Sequence, residues 1–226
     1  MTCHVKAFAE LGVMGVNIPE RWGGPGVGPT GMLLALVEIS HACAATSSMI
    51  GAHYLGTDAV LIGGDGIQRN TWLPRAASGE WLAGFCPDRA AWRLQTSLGL
   101  AQAALDAAAQ RACERRVGGE PLAKRQGIQW MLAGMSLRLE AFWALTLQAT
   151  ALGAAGRNFT LQSTMAKLHA SEMVGFVTDA ALQIHGGYGF TRDMPLERYV
   201  RDARILRIYE GSWEIQRTII ARAVLG

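Results

Sequence analysis

The chain has 226 residues, enough for a sizeable core, and half of them are hydrophobic while only 17% are charged, below the usual quarter. That balance implies wide burial, subunit contacts included, and therefore an oligomer. A net charge of +3, with no run of Lys and Arg interleaved with aromatics, excludes a nucleic-acid-binding stripe.

The opening MTCHVKAFAELG has no basic region followed by a long apolar run, so neither a signal peptide nor a membrane anchor is expected, and the expected compartment is the cytoplasm. Cys3, Cys43, Cys86 and Cys113 form no CxxC pair and have no histidine at metal-ligand spacing. They read as reduced core thiols, and no metal site is expected.

Phe8, Leu11, Val13 and Val16 form a short helical segment that runs into a tight loop at Pro19 and Gly23-Gly24-Pro25-Gly26. Thr30 is the expected N-cap of a helix through Met32, Leu33, Leu36, Val37 and Ile39. The Ala- and Ser-rich residues 41–55 continue as a second, closely packed helix. Gly63-Gly64-Asp65-Gly66 ends it; with no Lys-Ser/Thr ending and no preceding strand, this turn is a helix connection rather than a phosphate loop. Residues 67–77 read as a short helix interrupted at Pro74.

From Leu98 the spacing is regular. Leu98, Ala101, Leu105 and Ala108 make one stripe, ending at the 117–121 break. Ile128, Met131, Leu132, Met135, Leu139, Phe142 and Thr146 make a second, closed near Gly153 and Gly156. Met165, Leu168, His169, Met173, Phe176, Val177 and Ala180 make a third, closed at Gly186, and Trp213, Ile215, Ile219, Ile220 and Val224 a fourth. No segment sustains a period of two, so the expected fold is all-α with a C-terminal four-helix bundle. The methionines read as core, and His169 and His185 as core or surface residues.

The most concentrated chemistry lies in residues 183–217, QIHGGYGFTRDMPLERYVRDARILRIYEGSWEIQR. Gly186, Gly187 and Gly189 end a helix and free the backbone to lie against a ligand. Glu210, between Tyr209 and Gly211, is a lone carboxylate in an apolar and basic segment; taken alone it reads as a surface acid paired with Arg204 or Arg207. Arg198, Arg201, Arg204 and Arg207 form a ladder that either grips phosphate or lies in solvent with internal ion pairs.

This stretch resembles the C-terminal end of the acyl-CoA dehydrogenases, with their Gln-x-x-Gly-Gly-x-Gly-Phe segment, Arg-Asp-x-(x)-Ile segment and Tyr-Glu-Gly-Thr/Ser-x-x-Ile-Gln box. ELGVMGVNIPERWGGPGVG near the start, and GLAQAALDAA through QGIQWMLAGM in the middle, resemble the same family in the same order. The resemblance implies a short N-terminal helical domain, residues 1–86, and an up-down four-helix bundle, residues 97–226. The family's first N-terminal helix has no counterpart in this sequence. Residues 87–96 stand where the family has a β-rich middle domain, and Cys86 to Trp92 are expected to be a short, ordered join beside an opened cleft.

By the resemblance, Glu210 is the base that takes the α-proton of an acyl thioester, carried by coenzyme A or an acyl carrier protein. A carboxylate can do so only when desolvation raises its basicity and the enolate oxygen receives hydrogen bonds. Gly211 would let the acyl chain approach and Tyr209 would wall the site. The resemblance further implies FAD, with Arg115 and Gln126 toward its diphosphate and adenosine end, Gln183 and Gly187 contributed by a neighbouring subunit, Ser212 near the flavin, and a homodimer or homotetramer. Two departures stand out: Gly118 replaces the aromatic of the Arg-x-x-Phe-Gly box, and Glu214 brings a negative charge where Gln is common. Without the β-domain the flavin face is open to water. Three functions follow: flavin-dependent α,β-desaturation; a flavin-free, redox-neutral isomerase, dehydratase or cyclase; and a non-catalytic subunit that completes the flavin site of a full-length family member.

Overall fold

The computed structural model describes residues 2–84, 91–208 and 211–226. Helices dominate: α1 (Thr2–Glu10), α2 (Gly28–Ala42), α3 (Ala44–Gly63), α4 (Gly66–Ala77), α5 (Ala91–Glu114), α6 (Gln126–Ala154), α7 (Thr160–His185), α8 (Leu196–Ile205) and α9 (Trp213–Leu225). Short 3₁₀ turns lie at Val13–Gly15, Glu20–Trp22, Leu122–Lys124 and Gly186–Phe190. Among the described residues the only sheet is a two-residue antiparallel hairpin, β1 (Arg116–Val117) and β2 (Glu120–Pro121), so the all-α reading holds. Residues 85–90 and the join expected there lie outside the described residues.

Local chemistry sets most of the helix boundaries. Asp65 caps α4 reciprocally: the Gln68 N–H donates to Asp65 Oδ1 at 2.8 Å, and the Asp65 N–H donates to Gln68 Oε1 at 3.0 Å. Pro74 does not interrupt this helix as expected; it stands near the C-terminal end, where one missing hydrogen bond does not break the coil. Nor is Thr30 the cap of α2. That helix starts at Gly28 with a proline in its first turn, where the ring presets φ and no N–H is needed.

The main core joins α5, α6, α7 and α8 through Leu98, Leu100, Ala104, Met135, Leu139, Phe142, Met173, Val174, Val177, Leu196 and Leu206. α7 is its axis and packs against α5, α6, α8 and α9. α5 also packs closely on α2, and Gly99 permits this: a Cβ there would lie 1.7 Å from Ser40 Oγ and 2.4 Å from the Val37 carbonyl oxygen. A second cluster, including Val5, Met14, Leu36, Ile50 and Tyr54, closes the N-terminal part. There, buried His53 accepts the Ala83 N–H at Nδ1 (3.1 Å) and donates from Nε2 to the Met14 carbonyl (3.0 Å), so it is neutral and fully bonded. Burial pushes its pKa below the ordinary histidine value, although the Met14 bond opposes the shift.

The N-terminal helical part and the C-terminal helical bundle stand as expected, and three details differ. α8 is a fifth helix of the C-terminal half; its Leu196 and Ala203 are buried while the arginines face out. The apolar stripe of α9 is not core within this chain: Gln216 is the buried residue there, whereas Ile215 is 54% and Val224 76% exposed. α9 packs chiefly on α7, one surface for a helix with two apolar sides. Finally, Cys113 is exposed and Cys43 half-buried, so neither is a core thiol.

Candidate active site

A cleft of about 460 Å³ opens where α5 ends and α7 turns over. Its walls are Arg111 and Arg115 from the end of α5, Val117 and Leu122 from the hairpin and the turn after it, and Ile184, His185, Gly186, Gly187 and Tyr188 from the other side. The hairpin fixes this geometry. The Leu122 N–H donates to the Arg115 carbonyl at 2.7 Å, and Arg125 donates to the Val117 carbonyl at 3.0 Å. Gly118 and Gly119 both have positive φ, 63° and 84°, as a tight two-residue turn demands. That turn is a local reason for Gly118 where an aromatic was expected.

On the opposite wall, His185 Nδ1 donates to the Ala181 carbonyl at 2.8 Å. Gly189 is needed there, because a Cβ would lie 2.5 Å from that of His185. Gly187 is different: a Cβ at this position would meet no atom of the chain within 4 Å. Among the described residues that line the cleft there are two arginines and no aspartate or glutamate, so their combined character is cationic.

The second feature is a clamp around residues 207–213. Arg207 Nε donates to the Ser171 carbonyl at 3.2 Å, with its guanidinium lying over Gly175, where a Cβ would be 2.1 Å from Nη2. Lys167, 2% exposed, donates from Nζ to the Gly211 carbonyl. The Trp213 N–H donates to the Arg207 carbonyl at 3.4 Å, and Arg217 pairs with Glu172 at 2.6 Å. Tyr209 and Glu210 lie outside the described residues, but the chain on both sides of them is fastened to α7.

Ser212 precedes α9 and hydrogen-bonds the side chain of Glu214. With the Glu214 backbone N–H and the Trp213 indole, that bond lowers the Glu214 pKa, so the acid is a capping group in the first turn of α9. Arg198, Arg201 and Arg204 are exposed on α8, and Arg201 pairs with Glu197 at 3.2 Å. None of them lines the cleft.

Arg115 and Gly187 therefore share one cleft, whereas Gln126, the first residue of α6, and Gln183, on α7, are exposed outside its walls. Gly211 and Ser212 sit at the other end of α7. Lys167 and His185 are eighteen residues apart on that helix, a rise of about 27 Å. A larger recess of about 590 Å³ between α3, α4 and residues 81–84 is walled by Trp72, Trp81, Leu82 and small residues. Among the described residues that line it, none is titratable. Among the described residues no group of three or more His, Cys, Asp or Glu could hold a metal, and no helix is long and apolar enough to cross a membrane.

Residues 88–225 match the family description "Acyl-CoA dehydrogenase, C-terminal domain", and residues 2–80 match "Acyl-CoA dehydrogenase, N-terminal domain". The chain belongs to the acyl-CoA dehydrogenase family. Over 129 residues, 57% of this chain, it is 49% identical to the acryloyl-CoA reductase (NADH) of Anaerotignum propionicum and 50% identical to the mitochondrial short-chain specific acyl-CoA dehydrogenase of Rattus norvegicus. These matches span about a third of each relative, 33% and 31%. The butyryl-CoA dehydrogenase of Megasphaera elsdenii superposes with a TM-score of 0.87 at 21% identity, over 98% of this chain and 89% of that one. A Bacillus anthracis acyl-CoA dehydrogenase complexed with FAD gives 0.90 at 20%, over 99% and 61%. In this acyl-CoA dehydrogenase family member the two matched domains follow each other with residues 81–87 between them.

Two residues of the site were not legible beforehand. Arg111 stands one turn before Arg115, and that spacing was the available signal. Lys167 is the one charged residue between Thr164 and Ala170, and a lone charge within a run of small and apolar residues was its signal.

Proposed function

We propose that the chain is a flavin-dependent acyl-thioester dehydrogenase whose active site is assembled from two copies. The observation that carries this reading is the meeting of Arg115 and Gly187, from distant parts of the sequence, in a cleft whose described lining residues include no acid. FAD fits there on two counts. Guanidinium groups suit a diphosphate, and the open space beside Gly187 leaves room for a ligand to approach the backbone. FAD, when bound, supplies the acceptor for the two electrons of desaturation. Gln126 and Gln183 are then rim contacts of its adenosine side.

Glu210 is the base for the α-proton of an acyl-coenzyme A thioester. Lys167 and Arg207 hold its loop on α7, Gly211 leaves space for the acyl chain, Tyr209 walls the site, and Ser212 stands at the flavin edge. A base must reach the carbon from which it takes a proton. In one chain the clamped loop and the basic cleft are about 27 Å apart along α7, much further than a ribityl linker reaches. One copy therefore contributes the cleft and its partner the base. The uncovered faces of α6 and α9, with Trp130 67% and Ile215 54% exposed, supply apolar surface for a homodimer or homotetramer.

The test is anaerobic addition of butyryl-CoA to protein reconstituted with FAD. Loss of the visible flavin absorbance, abolished by Glu210→Gln, is expected. Flavin binding without bleaching would instead favour the non-catalytic partner, and deuterium exchange at the acyl α-carbon in flavin-free protein would favour the redox-neutral enzyme.

A further inference from the structure

Arg111 lies in the last turn of α5, lines the basic cleft, and has its Nε buried without a hydrogen-bond partner. Buried polar groups are paired in the great majority of folded proteins, and an orphaned N–H of a charged group carries a desolvation cost with nothing to offset it. The end of α5 explains a cation at this position, because free carbonyls favour positive charge there. It does not explain the unpaired Nε. Nor do ion pairs: among the described residues no carboxylate bridges Arg111 or Arg115, and the nearby Glu114 is engaged by Gln110 at 2.7 Å. Two like charges one turn apart also repel. Among the described residues its aromatic contact is Tyr188, whose ring centroid lies 5.7 Å from the Arg111 guanidinium carbon, and that contact uses none of the fork's donors.

We infer that Arg111 is a ligand-binding residue and forms with Arg115 a two-guanidinium clamp for two adjacent phosphates, the diphosphate of an adenine dinucleotide. The inference rests on the reading that this cleft takes FAD, and adds a residue to which that reading assigns no role. An anion between the two forks satisfies the Nε of Arg111, removes the repulsion between the arginines, and meets no acid among the described residues of the wall. A monophosphate engages one fork; a diphosphate engages both. The cleft should therefore prefer ADP to AMP, with Arg111 as the source of that preference.

The experiment is calorimetric titration of the full chain with ADP, AMP and FAD, alongside thermal melts of the ligand-free protein, for the unmodified chain, Arg111→Met and Arg111→Lys. The expected result is ADP binding that weakens by about tenfold or more in Arg111→Met and by less in Arg111→Lys, with the ADP-over-AMP preference lost in the methionine variant. The ligand-free Arg111→Met protein should melt no lower than the unmodified one, because an unpaired buried donor has been removed. Equal ADP affinity in the unmodified chain and Arg111→Met would overturn the inference and leave the flavin reading standing. Failure of the unmodified chain to bind either ADP or FAD would overturn both. A large fall in ligand-free melting temperature for both variants would overturn it too, by showing that Arg111 holds the fold.

Discussion

Lys167 gives the sharpest structural prediction, because its side chain is buried to 2% exposure yet carries an ammonium that reaches across to the Gly211 carbonyl. Lys167→Met keeps a stem of similar length and deletes the donor. A hydrogen bond to a charged group contributes about 1.5–3 kcal/mol net. Removing a buried charge recovers some desolvation, but Gly211 is only half-buried, so the freed carbonyl is partly rescued by water. We expect a net loss of about 2 kcal/mol, which for a chain of this size lowers Tm by about 4–8 °C. The loss should be local first. Amide hydrogen exchange in residues 207–216 should accelerate by about thirtyfold, the equivalent of 2 kcal/mol, while the α5 and α6 amides keep their protection. Mass-spectrometric exchange on the ligand-free protein reads this directly. An unchanged Tm with unchanged exchange in residues 207–216 would refute the claim that Lys167 fastens the loop.

Two other perturbations discriminate packing from binding and folding from pH. Gly187→Ala should leave Tm within about a degree of the unmodified value while weakening FAD binding, and Gly189→Ala should lower Tm by several degrees because its Cβ would lie 2.5 Å from that of His185; differential scanning calorimetry with an FAD titration checks both. His53 is neutral in the fold with its pKa depressed, so its contribution is fully present above the unfolded value of about 6.5 and is lost as pH falls below it, by up to about 1.4 kcal/mol per pH unit. Urea midpoints between about pH 7 and pH 5 should therefore fall more steeply for the unmodified chain than for His53→Gln; parallel slopes would show that His53 plays no part in the acid sensitivity.

The helices of the main core were legible because their stripes are simple. Met135, Leu139 and Phe142 on α6, and Met173, Val177 and Ala180 on α7, are buried as their spacing predicts. α8 was hidden by its own arginines. Leu196 and Ala203 carry its buried side, but with so few apolar residues the charge pattern dominated the sequence. The stripe of α9 is real but faces away from the chain's own core, and periodicity reports an apolar face without saying which surface covers it. The resemblance pointed to Arg115 and, as a neighbouring subunit's contribution, to Gly187; the structure brings both to one cleft of the same chain, because α5 and α7 pack side by side. Arg111 and Lys167 differ in kind: their importance lies in what surrounds one nitrogen atom, an unpaired Nε in one and a bond to the Gly211 carbonyl in the other, and no spacing rule encodes that.

The central claim, one active site built from the cleft of one copy and the loop of another, is tested most directly by complementation. Arg115→Leu and Glu210→Gln should each abolish butyryl-CoA-dependent bleaching of the flavin. Co-expressed in equal amounts, the two inactive chains should regain activity at about a quarter of the sites, because half of randomly paired dimers are mixed and each mixed dimer contains one intact site. A mixture as inactive as either parent, despite mixed dimers shown by native mass spectrometry, would contradict the account and place the whole site within a single chain.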